Sequence, residues 1–138
     1  MKVSQRVENA CRVMVQLGRQ HDGSRVFRVD DLARKENLSA NFLLQILNEL
    51  RRGGVVTSRR GKLGGYMLAR PPEQITLRSI VDAIEGEALE FEGKPGGQSG
   101  ARVEAAWKTV TQRYEDILTS MTLAEMMTCG EDGSMFYI

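Results

Sequence analysis

Asn41, Gln45 and Asn48 follow one another at intervals of four and three residues, which on an α-helix sets them along one face. Side-chain amides can pair bidentately with the edge of adenine in the major groove of duplex DNA. Ser39 and Asn41, near the start of that helix, can also hold a phosphate. Leu44 interrupts the amide face; it can touch a thymine methyl or simply be a partly exposed surface leucine. Further on, Arg51, Arg52, Arg59, Arg60, Lys62 and Arg70 surround the glycine-rich stretch Arg60-Gly-Lys-Leu-Gly-Gly65. An arginine at the tip of a glycine-rich hairpin can enter a minor groove, where narrow walls concentrate negative potential and glycine lets the backbone approach phosphates. Arg60 is the leading residue for that contact. The chemistry in view is recognition of base edges and phosphates, with a solvated basic surface as the alternative.

Other chemistries find less support. The glycine cluster lacks the G-x-x-x-x-G-K-[ST] pattern and falls between two strands, so no phosphate cradle at a helix start follows. His21 is the only histidine, in a turn-rich run, and no serine or cysteine nucleophile accompanies it. Cys11 and Cys129 are far apart and are expected to be free thiols in a reducing compartment. Cys11 lies on an apolar stripe and reads as a small hydrophobe, whereas Cys129 is the better candidate for an exposed thiol. Neither a zinc site nor a hydrolase triad follows, no enzyme is expected, and no cofactor or metal is assigned.

The charge distribution agrees with a nucleic-acid partner for one half only. The net charge of +1 conceals 14 Lys/Arg against 6 Asp/Glu in residues 1–70, or +8, and 5 against 12 in residues 71–138, or −7. A basic half beside an acidic one is expected where the first meets nucleic acid and the second meets protein or solvent. Unevenly solvated surfaces are the plainer explanation. The length suits one ordinary domain, or a small domain with a helical arm. There is no run of 18 apolar residues and no signal-peptide pattern, so a cytoplasmic protein without a membrane partner is expected.

These residues must be positioned by local elements. Val3, Val7, Ala10, Cys11, Met14 and Leu17 fall at helical spacing, with Ser4 as N-cap and Gly18 near the exit. Val26 to Val29 suit a short extended piece, and Asp30 is placed to cap a helix over 31–37 that buries Leu32 and Ala33. Asn37 can end it in a left-handed conformation, Leu38 can anchor the turn, and Ser39 can cap the next helix. That helix, 40 to about 52, buries Phe42, Leu43, Ile46, Leu47 and Leu50 and leaves Asn41, Leu44, Gln45, Asn48 and Arg51 on its other face. Gly53 and Gly54 stop it; residues 55–59 and 66–69 make two short strands; Pro71 and Pro72 end the hairpin. Thr76 caps a helix with Leu77, Ile80, Val81 and Ile84 inward, closing at Glu85 and Gly86.

From 87 to 100 the chain is glycine-rich and reads as a linker. Val103, Trp107, Val110, Tyr114, Ile117 and Met121 then form a heptad-like seam, which a second copy of the chain would bury most economically. Folding back on its own domain is the alternative. Thr122 and Glu125 fit a capping box for a short helix with Leu123, Met126 and Met127 inward, and the tail Met135-Phe-Tyr-Ile138 is apolar enough to dock. The expected fold is mainly α with a small β-wing: a winged helix-turn-helix over 1–86, a flexible linker over 87–101, and a dimerisation helix, short helix and tail over 102–138.

The runs Leu50-Arg-Arg-Gly-Gly-Val-Val-Thr-Ser-Arg-Arg-Gly61, Gly64-Gly-Tyr-Met-Leu-Ala-Arg-Pro-Pro72 and Ile75-Thr-Leu-Arg-Ser-Ile-Val-Asp-Ala-Ile-Glu-Gly86 resemble the Rrf-two (BadM-like, IscR-like) family of winged-helix transcription regulators. The resemblance covers about residues 1–127. It implies a homodimer whose long helix crosses its partner, bound to a roughly palindromic operator. By position it puts Ser39, Asn41, Leu44 and Gln45 among recognition-helix contacts and Arg60 at the wing. Members often carry an acid or another polar residue where Leu44 stands. Many members hold an iron-sulfur cluster through cysteines between the wing domain and the long helix. Here residues 87–107 contain no cysteine, and Ala101 and Glu104 stand where cluster-binding relatives place a cysteine and a histidine. Glu8 stands where some relatives use an acidic ligand, but one carboxylate does not replace thiolates.

The resulting expectation is a sequence-specific homodimeric DNA-binding regulator, a repressor by operator occlusion, of the cluster-free kind, answering to an effector or protein partner that the sequence does not name. A winged-helix protein-interaction module and an iron-sulfur or redox sensor with atypical ligands are the alternatives.

Overall fold

The computed structural model describes residues 3–62, 64–86 and 91–131. The expected docking of the tail at Met135 to Ile138 lies outside the described residues. Among the described residues six α-helices and a two-stranded hairpin follow in the order α1 (Gln5–Arg19), α2 (Val29–Glu36), α3 (Ala40–Arg52), β1 (Val56–Arg59), β2 (Gly65–Leu68), a 3-10 turn (Pro72–Gln74), α4 (Leu77–Glu85), α5 (Gly100–Ser120) and α6 (Leu123–Thr128). The architecture is mainly α with a β-wing.

Helix starts follow side-chain capping. Ser4, Ser39, Thr76 and Thr122 each accept a hydrogen bond from the backbone N–H three residues on, at 3.1 to 3.2 Å. Each satisfies a donor that the first helical turn leaves free. Two expectations are corrected here. Val3 precedes the Ser4 cap and is exposed instead of sharing the α1 stripe. Asp30 does not cap α2, because Phe27 pairs with Tyr66 and the helix begins two residues later, at Val29, after Arg28. Asp30 therefore sits in the first turn, where a carboxylate suits the positive end of the helix dipole.

The turn between α2 and α3 forms as its residue types require. Asn37 takes the left-handed conformation at φ 56° and ψ 48°, and the Leu38 N–H returns to the Ala33 carbonyl at 2.9 Å. The α3 helix then buries Leu43, Ile46, Leu47 and Leu50 against Val13, Met14 and Leu17 of α1 and Ile80 and Ile84 of α4, all in one apolar core. Phe42, expected inside, is only half-buried at the core's edge.

The wing is an antiparallel pair with Val56 opposite Leu68 and Arg59 opposite Gly65. Its second strand starts one residue earlier than expected, although the Ala69 N–H still bonds to the Val55 carbonyl at 3.0 Å. Val55, Val56 and Leu68 are buried at the base, while Thr57, Ser58 and Arg59 are exposed toward the tip. Of the extended piece expected at 26–29, only Phe27 pairs with the wing, and Val29 has joined α2.

The long helix α5 starts at Gly100, and its apolar side chains have different surroundings. Leu118 is buried and Tyr114 half-buried against the winged-helix core. Val103, Trp107, Val110 and Ile117 are exposed by 50%, 49%, 42% and 60%. After α5 the chain is sewn to the strand-like segment before α4: the Leu77 N–H donates to the Met121 carbonyl and the Leu123 N–H to the Ile75 carbonyl, both at 2.8 Å. Leu123 is then fully buried, and α6 lies so close to α1 that a β-carbon on Gly18 would come within 2.6 Å of the Met127 sulfur. Part of the seam drawn from the sequence thus belongs to the domain's own core.

Candidate nucleic-acid interface

Because one face of α3 is spent on the core, its opposite face is left to solvent. Asn41, Leu44, Gln45 and Arg51 are exposed there, Leu44 by 40%, and Asn48 is half-buried. Ser39 stands exposed at the N-terminal end; its oxygen accepts from the Phe42 N–H, which leaves its own hydroxyl hydrogen free to donate. Glu49, on the flank of α3, forms an ion pair with Arg6 of α1. Its charge is thereby turned away from the amides.

The C-terminal end of α3 leads straight into the wing. Arg51 and Arg52 occupy its last turn, where cations complement the negative end of the helix dipole. An Arg51 guanidinium nitrogen reaches Ser58 Oγ of β1 at 3.5 Å, linking helix and hairpin. Arg59, Arg60, Lys62 and Arg70 are exposed around the hairpin. Gly61, after Arg60, has φ 106°, a conformation that a side chain would disfavour.

The pairing of charges separates two populations of cations. Arg6, Arg12 and Arg34 face carboxylates of Glu49, Glu8 and Glu36, and Asp31. Arg25, Arg28, Arg51, Arg52, Arg59, Arg60, Lys62 and Arg70 form no ion pair among the described residues. Unpaired, exposed and grouped at the helix end, the wing and the adjoining loop, they leave a concentrated positive field, which attracts a polyanion.

Sequence reasoning missed the loop's share of this surface. Asp22 Oδ1 accepts from the Ser24 and Arg25 N–H groups at 2.8 and 2.7 Å, and those bonds hold its carboxyl below the usual range. Phe27 and Tyr66 then exchange backbone hydrogen bonds at 2.7 and 2.8 Å. A β-carbon on Gly65 would lie 2.4 Å from the Phe27 carbonyl oxygen, so only glycine lets loop and wing approach this closely. The acidic Asp-Gly-Ser turn was the one local signal; its partner lies some forty residues further on.

Catalytic and metal chemistry are poorly served. His21 is half-buried beside the loop, and among the described residues no group of three His, Cys, Asp or Glu is placed to hold a metal ion.

These features place an exposed amide-bearing helix beside a basic wing. The model of the Rrf2 family, described as an iron-dependent transcriptional regulator, matches residues 3–129. This chain belongs to the Rrf2 family. Rrf2 proteins are DNA-binding winged-helix regulators of transcription, not enzymes. The chain is 31% identical to the transcriptional regulator CymR of Bacillus subtilis over the full length of both. It is 32% identical to the regulator IscR of Erwinia tasmaniensis over 101 residues, covering 70% of this chain and 61% of that one. The solved structure of CymR from B. subtilis, described as its global cysteine regulator, superposes with a TM-score of 0.80 at 28% identity, covering 93% of this chain and 97% of that one.

The family description raises the question of iron, and the donor set does not suit an iron-sulfur cluster. Cys11 is half-buried, and desolvation, aided by the nearby Glu8 charge, pushes its thiol up to about 11. The sequence offers two cysteines, Cys11 on α1 and Cys129 after α6, against the four thiolates that commonly hold such a cluster. Of the ligand positions that the resemblance implies, Ala101 carries no donor atom, Glu8 accepts from Gln5 and pairs with Arg12, and Glu104 pairs with Lys108 at 2.9 Å.

Proposed function

We propose that this chain is a homodimeric repressor that recognises a palindromic operator and does so without an iron-sulfur cluster. The observation that carries the reading is the cluster of unpaired cations at the α3 end and wing, Arg51, Arg52, Arg59, Arg60, Lys62 and Arg70, beside exposed Asn41 and Gln45. In this reading Ser39, Asn41, Leu44, Gln45 and Asn48 enter the major groove, Arg51, Arg52, Arg59 and Lys62 meet phosphates, and Arg60 enters the neighbouring minor groove. The amides favour adenine, and Leu44 supports apolar contact with a thymine methyl in place of a polar reading at that position.

Dimerisation is supported by the row of Val103, Trp107, Val110 and Ile117, four large apolar side chains left exposed on one helix. Two such helices crossing would set two wings on half-sites about one helical turn apart, roughly 34–36 Å. Occupying an operator of that length excludes other proteins from it.

The test is selection of the preferred duplex from a random pool, followed by binding to that site and to scrambled competitor at fixed salt, with mass measured by light scattering. The expected result is a dimer that prefers its site by at least about a thousandfold, with Arg60→Ala weakening it and no iron in anaerobically purified protein. A monomer, binding indifferent to sequence, or stoichiometric iron with a visible absorption band would each overturn the corresponding part.

A further inference from the structure

The α1–α2 loop carries two of the unpaired cations to a place that the recognition helix does not reach. Arg25 and Arg28 from the loop and Arg59 and Lys62 from the wing line one open cleft of about 480 Å³. Among the described residues the one acid on its wall is Asp31, and that carboxylate already accepts from Arg34 at 3.0 Å. We propose that this cleft seats the sugar-phosphate backbone of DNA just outside the bases read by α3, with Arg25 and Arg28 holding adjacent phosphates. The proposal rests on the DNA-binding reading above and extends its footprint.

Three features make the cleft a built receptor and not merely a basic region. The loop is shaped by the Asp22 bonds to the Ser24 and Arg25 N–H groups, so Arg25 leaves a fixed backbone. Its guanidinium carbon lies 5.4 Å from the centre of the buried Phe27 ring, a cation-π contact that orients it without consuming its charge. Arg59 donates to the Ser24 carbonyl at 3.3 Å, which locks the wing against the loop and spaces the cations across the cleft. Phosphate oxygens suit guanidinium forks, which bind them with two parallel bonds. Because the cleft is open and its cations are exposed, it fits a backbone running past and has no enclosed pocket for a free anion.

Phosphate contacts carry affinity and salt dependence but little sequence information. The deciding experiment therefore measures binding of the full chain to its selected duplex and to a duplex with scrambled half-sites, across a salt series. Wild type is compared with Arg25→Ala/Arg28→Ala and with Arg25→Lys/Arg28→Lys, all checked for folding by circular dichroism. The alanine pair is expected to reduce the slope of log affinity against log salt by about 0.9 for each phosphate released, up to about 1.8. Both duplexes should weaken by the same factor, and the lysine pair should restore most of the slope. An unchanged slope in the alanine pair, with wild type binding normally, would overturn the cleft and leave the DNA reading standing. A changed preference between duplexes without a changed slope would mean base contact and also overturn it. Wild type that binds neither duplex would bring down the DNA reading and this proposal together.

Discussion

Replacing Leu123 by alanine asks whether the C-terminal helices belong to the winged-helix core or merely hang from it. Leu123 is fully buried, and its N–H is held by Ile75. Truncation removes three buried carbons, which at about 0.8 kcal/mol each amounts to about 2.4 kcal/mol of lost transfer energy. The cavity adds to this, since α1, α6 and the segment before α4 meet there and collapse only partly, so about 3 kcal/mol is expected. With a urea dependence of about 2 kcal/mol per molar, the unfolding midpoint should fall by about 1.5 M. The assay follows far-ultraviolet circular dichroism and the fluorescence of Trp107, the only tryptophan, at one fixed protein concentration. Trp107 sits on the exposed half of α5, its ring stacked on Phe91 at 6.4 Å, and so reports the arm while circular dichroism reports the whole. Both probes should shift together. If the fluorescence midpoint fell while the circular dichroism of the remaining helices kept its wild-type midpoint, α5 and α6 would be peeling away from an independent domain, and the reasoning would be refuted.

Gly65→Ala should force Phe27 off the wing: overpacking of this kind costs about 1–3 kcal/mol, and thermal melting together with DNA affinity should both fall, whereas an unchanged melt would contradict the close approach. Cys11, its thiol raised to about 11 by burial, should favour folding most below the ordinary value of 9.0, and stability should decline as pH rises from there through about 11. Urea titrations across that range should show the loss, and Cys11→Ala should flatten it. Trp107→Ala should loosen the proposed dimer by about 2 kcal/mol or more if that ring is an anchor, read as at least about a thirtyfold rise in the monomer–dimer constant by sedimentation; no change would exclude this face from the interface.

What could be read from the sequence was what short-range bonds decide. Ser4, Ser39, Thr76 and Thr122 cap their helices through partners three residues away, and Asn37 turns left-handed because its own side chain tolerates it. The amides of α3 share a face for the same local reason. Asp30 failed as a cap because a distant strand residue, Tyr66, takes hold of Phe27 and sets where α2 begins. A stripe such as Val103 to Met121 states that something covers it, not what: Tyr114 turned to its own domain and Ile117 did not. Arg25 and Arg28 were passed over since their meeting with Arg59 and Lys62 depends on that same long-range pairing. Likewise, composition counts charges without saying which are already neutralised.

The hydrogen bonds joining Ile75 and Leu77 to Met121 and Leu123 have a mechanical consequence. They anchor one end of a 21-residue helix in the domain that carries the wing, while the other end projects with its apolar side chains uncovered. Such a helix is a lever about 30 Å long. A tilt of about 5° at the anchored end would carry the far end by roughly 3 Å over that length, close to one base-pair step. The glycine-rich connection over 91–99 is bypassed, and in the proposed dimer the angle between α4 and α5 would be the calliper that sets how far apart two wings can stand. In the proposed dimer, a molecule that altered the packing of Leu118 or Leu123 would thereby change the length of DNA that the pair of chains can span.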